Sequence, residues 1–482
     1  MVLQRDMEVP IWGTADPGEA VTVSIAGRQA KATAGADGKW MVRLQPFKTS
    51  EPAEPIEMTV AGKNTIKVVD ILVGEVWLAS GQSNMQWPVK LSKDAVTELM
   101  ATRYPQIRLY SVERAVAGRP MSDVPGKWAA CGPETVADFS AVAYFFGREL
   151  HEKLEVPVGL VHSSWGGTPA ESWTSRPALE ADPDLKLMLD RSDGMLGDYR
   201  AEIEQYRKVL DAWVNESIAA ESQGRPVPPG PKFRPDDPRA HPDRPSGLYN
   251  AMIAPLVPLA IRGAIWYQGE ANAARAYQYR KLFPAMIKDW RRAWGQGDFP
   301  FLFVQLANFK PTGPRAGTWA ELREAQTMTL TLKNTGMAVA IDIGDPADIH
   351  PKNKQEVGRR LFLAAQHVAY GKQLIYSGPM YEAMGVEANR VRLKFKHANG
   401  LKTQDGQPPK GFVIAGEDRK FVDASATIES ETVVVWSDAV AGPVAVRYGW
   451  NDNPTCTLYN AAGLPAGPFR TDDWPAITAE AN

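Results

Sequence analysis

The spacing of hydrophobic and polar residues predicts a β-rich region at the start of the chain. In residues 1–70, alternating segments such as Val21–Ile25 and Trp40–Leu44 are separated by glycine-containing turn sequences. Apolar residues at every second position are typical of strands with one buried face. Because no helical pattern interrupts these segments, residues 1–70 predict an N-terminal β-sandwich-like domain.

The pattern differs in residues 71–375, where short apolar runs alternate with amphipathic helical patterns. The apolar runs cover residues 71–79, 156–161, 261–267, 301–306 and 337–343, and the helical patterns cover 139–154, 276–294, 320–330 and 354–369. Near-continuous apolar strands that alternate with helices are typical of a parallel sheet with helices on both faces. This region therefore predicts an α/β domain.

Two further regions depart from this alternation. Residues 178–246 form an insertion, in which 198–220 has helical spacing and many charges, whereas 225–245 contains eight prolines. Such a density of proline excludes a regular helix or an inner strand, so we expect a surface insertion that serves as a lid or a spacer. Residues 376–482 return to strand-like segments such as Thr432–Trp436, which predicts a C-terminal β-rich region.

Length and charge limit the classes of partner. The 482 residues exceed the usual size of one domain, and a net charge of −2 gives no electropositive field for nucleic acid or an anionic membrane. No run approaches the ~18 consecutive apolar residues of a membrane-spanning helix. Met1 leads directly into a strand-like segment without a signal-peptide pattern. Cys131 and Cys456 could form one disulfide or remain as two thiols.

The first strand of the predicted sheet ends in a candidate nucleophile. In parallel sheets, ligands bind beyond the carboxyl ends of the strands. The run 71–79 is followed by Ser80-Gly81-Gln82-Ser83-Asn84-Met85. A turn of small residues from strand into helix can raise the Ser83 hydroxyl above the sheet edge, near backbone N–H groups. The alternative interpretation is that Ser83 only caps a helix.

Two other strand ends carry candidate donors for an oxyanion. The strand 156–161 is followed by the glycine pair Gly166-Gly167, whose backbone can approach a ligand closely, and 261–267 is followed by Gln268, whose amide could add a second donor. The alternatives are a tight turn for the glycines and a bond to loop backbone for Gln268.

A histidine follows the last strand of the predicted sheet. His350 comes two residues after Asp348, which is the composition of a general base with an orienting carboxylate. Of the six histidines, only His350 and His162 lie at strand ends, so His162 is the rival base. No histidines or cysteines have the spacing of metal ligands, so the sequence predicts no metal site. A lipase-type Gly-x-Ser-x-Gly elbow is disfavoured, because Met85 stands where its second glycine would be.

These strand-end motifs, in this order, resemble the sialate O-acetylesterase family of the SGNH hydrolase superfamily. The resemblance rests on residues 73–85, 164–168, 266–270 and 348–351, and it extends over nearly the whole chain. The insertion 178–246 is the part that matches least. The resemblance implies a flavodoxin-like three-layer α/β/α SGNH hydrolase domain with accessory N- and C-terminal β-sandwich-like regions.

The resemblance also implies a set of roles in the site. Ser83 would be the nucleophile and His350 the base, and the Ser83 N–H, the Gly167 N–H and the Gln268 amide would form the oxyanion hole. The orienting acid would be Asp348, with Asp345 or a backbone carbonyl as alternatives, because the superfamily's usual acid position, three residues before the histidine, holds Ala347. No metal and no cofactor are expected.

The expected substrate is an acetylated carbohydrate. Four residues that flank the motifs are predicted to contact the sugar, although the two tryptophans are at least equally suited to a core role: Trp87, Trp165, Tyr249 and Asn250. An esterase for acetylated xylan or another plant polysaccharide is the first alternative, since sugar-contacting loops vary most within a fold. A catalytically inert glycan-binding protein is the second, and the retention of Ser83 and His350 argues against it. Family habit suggests a secreted or periplasmic location, whereas the sequence leaves open the glycan and the oligomeric state.

Overall fold

The chain forms a mixed α/β structure with a central mixed sheet and additional antiparallel sheets. The computed structural model describes residues 1–48, 54–231, 235–313 and 316–480. Its strands are β1 (Val2–Gln4), β2 (Val9–Thr14), β3 (Ala20–Ile25), β4 (Arg28–Thr33), β5 (Lys39–Leu44), β6 (Ile56–Ala61), β7 (Thr65–Gly81), β8 (Tyr104–Ser111), β9 (Trp128–Cys131), β10 (Val158–Ser164), β11 (Gly263–Tyr267), β12 (Phe301–Gln305), β13 (Thr335–Val339), β14 (Met380–Glu387), β15 (Arg390–Lys396), β16 (Lys402–Thr403), β17 (Phe412–Ala415), β18 (Val422–Asp423), β19 (Ser425–Glu429), β20 (Thr432–Trp436), β21 (Ala445–Tyr448), β22 (Leu458–Tyr459) and β23 (Phe469–Arg470). Its α-helices are α1 (Ser83–Gln86), α2 (Ala95–Ala101), α3 (Pro133–Val136), α4 (Ala141–Leu154), α5 (Arg176–Glu180), α6 (Pro183–Ser222), α7 (Ala276–Trp294), α8 (Trp319–Met328) and α9 (Lys354–Val368).

The N-terminal region is built mostly from short antiparallel strands, whereas β1 pairs parallel with β7. Strand β2 pairs with β5, and β3 pairs with both β4 and β6. Along β5, the side chains of Trp40, Val42 and Leu44 are buried while their neighbours are exposed. The period of two in the sequence is therefore the period of burial in the structure.

Strand β7 connects this region to the central sheet. Its first part pairs antiparallel with β6, and its second part lies between β10 and β11 and runs parallel to both. Residues 65–70 of the strand are mostly exposed, whereas every side chain in 71–81 is buried. The surroundings therefore change at residue 71 within one continuous strand, and the division into domains there stays a prediction.

The central sheet has the strand order β13-β12-β11-β7-β10-β8-β9. All neighbours in this order are parallel except β8 and β9. The five apolar runs each coincide with a parallel strand, with ends shifted by a few residues. Strands β8 and β9 have no counterpart in the predicted set, because only short stretches of their side chains are buried.

Helices pack against both faces of this sheet. Trp77 of β7 packs edge-on against Phe146 of α4, and Trp266 of β11 packs against Phe283 and Trp290 of α7. Trp266 lies opposite Ser80 in the strand register. Because successive side chains in a strand point to opposite faces, Trp77 and Trp266 point to different faces. Helices α4 and α7 therefore lie on opposite sides of the sheet.

The insertion contains a 40-residue helix, α6, which begins well before the predicted start at residue 198. Asp182 caps it and Pro183 occupies its first turn. The helix continues through Gly194 and Gly197, whose low helical propensity hides it in the sequence. In the proline-rich segment, the described residues form only the short 3₁₀ turn Pro238–Ala240, and residues 232–234 lie outside the described ranges.

The C-terminal region forms its own antiparallel sheets and its own apolar core. One sheet has the order β14-β15-β20-β19, another has β18-β17-β21-β23, and β16 pairs with β22. Val391, Val433 and Tyr448 are among the fully buried residues of its core. Cys131 and Cys456 are both free thiols, and burial raises the pKa of each to about 12.

The described ranges contain neither a membrane-spanning helix nor a cluster of metal-binding side chains. None of the helices described is both long and apolar enough to cross a membrane. No group of three or more His, Cys, Asp or Glu residues in those ranges is arranged to hold a metal ion.

Candidate active site

Ser83 lies directly beyond the carboxyl end of β7, near the middle of the central sheet. It is the first residue of the short helix α1. Gly81, with φ of 138°, makes the turn possible, because a Cβ at this position would lie 2.2 Å from the carbonyl oxygen of Tyr267. The Gln82 N–H donates to that same oxygen at 3.0 Å. The glycine and this hydrogen bond fix the backbone that presents the serine.

His350 reaches Ser83 from the loop between β13 and α9. Its Nε2 lies 3.0 Å from Ser83 Oγ, which is hydrogen-bonding distance. Asp348 Oδ1 accepts the backbone N–H of His350 at 2.9 Å and lies 3.4 Å from its Nδ1. The serine hydroxyl, the imidazole and the carboxylate are therefore arranged in the order of a serine hydrolase triad.

Asp345 has a different role in the same loop. Its Oδ1 accepts the backbone N–H of Ala347 at 2.8 Å, which closes a turn. Among the described contacts, none joins Asp345 or a backbone carbonyl to the His350 ring. The geometry thus favours Asp348 among the three predicted orienting groups.

The surroundings of His350 favour its neutral form. Burial lowers the pKa of His350, the charge of Lys354 acts in the same direction, and Asp348 opposes them. A neutral imidazole at neutral pH can accept the serine proton. The ring of Trp87 stacks on the imidazole with centroids 4.8 Å apart and planes 21° apart, and so restricts its orientation.

The rival histidine, His162, is held elsewhere. Its Nε2 lies 2.5 Å from Ser164 Oγ, and its ring packs edge-on against Phe139. Burial, together with the charge of Arg114, lowers the pKa of His162 to about 4. No described contact joins His162 to Ser83, so the geometry favours His350 as the base.

The glycine pair lies beside the nucleophile. A Cβ added at Gly166 would lie 3.2 Å from Ser83 Cβ, and the Gly166 N–H donates to Gln86 Oε1 at 2.7 Å. Gly167 has φ of 83° and open space on its Cβ side. Within the described residues, the N–H groups of Ser83 and Gly167 have no acceptor. Two backbone donors therefore have no described protein acceptor, one on Ser83 itself and one on the residue that follows Gly166.

Gln268 is fully buried and its amide is engaged by the protein. Its Nε2 donates to Asn272 Oδ1 at 2.6 Å and to the carbonyl oxygen of Thr168 at 3.3 Å. Its Oε1 accepts the hydroxyl of Tyr279 at 2.9 Å. Both amide hydrogens thus have protein acceptors, and the predicted direct role of Gln268 in the oxyanion hole stays a prediction.

The four predicted sugar contacts separate into two pairs. Trp87 lies on the ring of His350, and the half-buried Trp165 donates its backbone N–H to Gly81 O at 3.2 Å. Tyr249 and Asn250 are buried in a π-helical turn, where the Asn250 amide donates to Ala117 O at 3.0 Å. No described contact joins this second pair to the serine or the histidine. The structure brings the two tryptophans to the site and leaves the other two residues without a contact there.

Comparison with known proteins decides the family. The family model described as carbohydrate esterase, sialic acid-specific acetylesterase, matches residues 73–204 and 241–367. The chain belongs to this esterase family. The unmatched stretch between the two segments lies inside the insertion, in agreement with the sequence analysis.

Individual relatives of this esterase match along nearly the whole chain. Sialate O-acetylesterase from Rattus norvegicus is 35% identical over 97% of this chain and 92% of its own length. The corresponding human protein is 33% identical, with 97% and 90% covered. The crystal structure of a carbohydrate acetylesterase from Xanthomonas citri superposes with a TM-score of 0.82 at 40% identity, covering 98% of this chain and 97% of that chain.

The esterase site also contains residues that the sequence analysis did not single out. Lys354, Asn84 and Glu270 form a buried polar cluster next to Ser83 and His350. Asn84 and Glu270 lie inside the recognised motifs, which could have drawn attention to them. Lys354 lies in an amphipathic helical pattern, where a lysine is ordinarily solvated, so its burial gives no signal in the sequence.

Proposed function

We propose that this carbohydrate O-acetylesterase works through an acetyl-enzyme formed on Ser83. The observation that carries the proposal is the 3.0 Å contact between Ser83 Oγ and His350 Nε2, with Asp348 behind the histidine. This arrangement lies at the carboxyl end of parallel strands, where ligands of such sheets bind. Because it is intact, it also argues against an inert glycan-binding protein.

The proposed reaction has two steps. Ser83 Oγ attacks the carbonyl carbon of the acetyl ester while His350 Nε2 takes the hydroxyl proton. The Ser83 and Gly167 N–H groups stabilise the oxyanion, which then collapses as the sugar oxygen leaves with the proton from His350. Water attacks the acetyl-enzyme while His350 takes a proton from it, and acetate leaves as His350 returns that proton to Ser83 Oγ.

The proposal for the oxyanion hole includes a condition on Gln268. To donate to the oxyanion, the Gln268 amide would have to give up its longer hydrogen bond, the one to Thr168 O at 3.3 Å. The bond to Asn272, at 2.6 Å, would hold the amide in place during that exchange. The two backbone donors require no such rearrangement, so we assign them the larger share of the stabilisation.

The fold that accompanies this function is an SGNH-type three-layer α/β/α domain of the flavodoxin-like kind. The parallel central strands and the positions of α4 and α7 on opposite faces support this assignment. Ser83 at the end of the central strand β7 and His350 after the edge strand β13 support it as well.

The proposed substrate is an O-acetylated carbohydrate. The curated relatives are named sialate O-acetylesterases, which makes O-acetylated sialic acid the first compound to test. An acetylated plant polysaccharide such as xylan is the second, because nothing in the acetyl-handling residues selects one sugar. Trp87 and Trp165 supply aromatic surface for a sugar ring. A secreted or periplasmic location stays a prediction from the family.

The serine mechanism is tested by Ser83→Ala beside Ser222→Ala, a matched change at an exposed position at the end of α6. We expect Ser83→Ala to reduce 4-nitrophenyl acetate hydrolysis by at least about 10³-fold and Ser222→Ala to leave it unchanged. Acetate release from O-acetylated sialic acid and acetylated xylan would then identify the sugar. A folded Ser83→Ala variant with the wild-type rate would overturn the mechanism.

A further inference from the structure

A completely buried lysine lies under the catalytic histidine. Lys354 is the first residue of α9, four residues after His350, and its side chain is inaccessible to solvent. Its Nζ donates to Asn84 Oδ1 at 2.5 Å and lies 5.2 Å from the ring centroid of Tyr267 and 5.9 Å from that of Trp87. Burying an ammonium group is strongly unfavourable unless it is paired, so Lys354 depends on the polar groups around it.

The partner of this lysine connects the two catalytic segments. Asn84 Nδ2 donates to Glu270 Oε1 at 2.6 Å and to the carbonyl oxygen of Ile349 at 3.0 Å. Asn84 directly follows the nucleophile in the chain, and Ile349 directly precedes the histidine. One side-chain amide thus bridges the turn that carries Ser83 and the loop that carries His350.

The charges on either side determine which way this amide faces. A cation at the oxygen of Asn84 and a carboxylate at its nitrogen both oppose a flip of the amide. In the flipped orientation, the amide oxygen would face the Ile349 carbonyl and the bridge would be lost. Lys354 therefore stabilises the one orientation in which Asn84 holds the histidine loop.

We propose that Lys354 is a positioning residue of the esterase, which orients Asn84 and so keeps Ser83 and His350 in hydrogen-bonding contact. The inference rests on the proposed serine mechanism. Lys354 acts through Asn84 and through its electric field, and it does not contact the reacting atoms.

The charged groups around Lys354 also determine whether it raises or lowers the pKa of His350. Glu270 and Asp348 face it with negative charge, and the phenol of Tyr267 lies beneath it. Burial lowers the pKa of Lys354 to about 7, while Glu270 and Asp348 oppose that shift. Below pH 7, where His350 titrates, the lysine is therefore charged and lowers the pKa of His350. Removing its charge raises the pKa of His350, which moves the acid limb of kcat/KM to higher pH.

The test compares Lys354→Met with Lys352→Met, a matched change at an exposed lysine in the same loop. For Lys354→Met we expect kcat on 4-nitrophenyl acetate to fall by at least about tenfold, with KM within about twofold, since small misplacements of catalytic groups cost up to about 10²-fold. The acid limb should move upward by about half a pH unit or more. Lys352→Met should keep the wild-type kcat and acid limb.

A double variant keeps the test decisive if Lys354→Met fails to fold. Lys354→Met combined with Glu270→Gln removes both buried charges, which is far less destabilising than leaving one unpaired. We expect the folded double variant to keep the reduced kcat and the raised acid limb. Wild-type kcat and an unshifted acid limb in a folded variant would overturn the inference. Wild-type behaviour of the Lys354 variants, together with an inactive Ser83→Ala variant, would overturn only the role of Lys354. An active Ser83→Ala variant would overturn the serine mechanism itself.

Discussion

The two sides of Ser83 are organised differently. On one side, His350 approaches the hydroxyl at 3.0 Å and Asp348 faces the far nitrogen of its ring. On the other side, Gln268 lies at an equivalent strand end but donates its amide hydrogens to Thr168 and Asn272. A residue at the carboxyl edge of the sheet lies near the site, but the direction of its side chain depends on hydrogen-bond partners from other elements.

The two strand-end histidines provide the strongest test. We expect His350→Asn to lower kcat/KM for 4-nitrophenyl acetate by at least about 10³-fold, because no other described group near Ser83 Oγ can take its proton. His162→Asn should change kcat/KM by less than about tenfold, since it removes contacts with Ser164 Oγ and Phe139 and none with Ser83. Circular dichroism of both variants controls for folding. Equal losses in the two variants would contradict the assignment of the base.

The carboxylate behind His350 should have an intermediate effect. In Asp348→Asn the new amide oxygen can still accept the backbone N–H of His350, so the change removes mainly the negative charge. Asp348 raises the pKa of His350, and its loss lowers that pKa. We expect kcat to fall by about 10- to 10²-fold and the acid limb of kcat/KM to move to lower pH, opposite to Lys354→Met.

Asp345 supplies the control for that experiment. Its carboxylate bonds only the Ala347 N–H among the described contacts, so Asp345→Asn should keep the wild-type kcat and acid limb. A shift of the acid limb in Asp345→Asn, with none in Asp348→Asn, would exchange the roles of the two carboxylates.

Much of the fold could be predicted because burial in the sheet and helices leaves a periodic trace in the sequence. The helical pattern 276–294 coincides with α7, and the run 301–306 with β12. The start of α6 was missed because its glycines mask the helix, and β8 was missed because its side chains are only partly buried. Both elements depend on tertiary contacts that a local pattern does not contain.

The site divides in a similar way. The proximity of Ser83, His350 and Gly166 follows from strand order, since the carboxyl ends of parallel strands meet at one edge. The direction of the Gln268 amide and the burial of Lys354 do not follow, because each depends on a partner far away in the chain, Thr168 for Gln268 and Asn84 for Lys354. For example, Lys354 is bonded to a residue 270 positions earlier, a distance that no local spacing reveals.

The smallest catalytic effect is expected at Gln268, and it should be accompanied by a loss of stability. Gln268→Leu leaves the buried Tyr279 hydroxyl without its acceptor and removes one of the two bonds to Asn272 Oδ1, which costs about 2–4 kcal/mol. We expect kcat per folded molecule to fall by less than about tenfold. Gln305→Leu is the matched control, since that buried amide bonds Arg323 O and Thr327 Oγ1 and none of its described contacts reaches Ser83.

Thermal unfolding and kcat, measured on the same two preparations, distinguish the two roles of Gln268. A lowered unfolding midpoint in both variants, with kcat nearly preserved, means that Gln268 supports the loop around the site and that the backbone N–H groups of Ser83 and Gly167 carry the oxyanion. A loss of about 10²–10³-fold in kcat for Gln268→Leu, at an unchanged midpoint, means that the amide releases Thr168 and turns to the substrate. In that case Gln268 would act on the ester directly, as His350 does on the serine, and the difference between the two sides of Ser83 would not persist during catalysis.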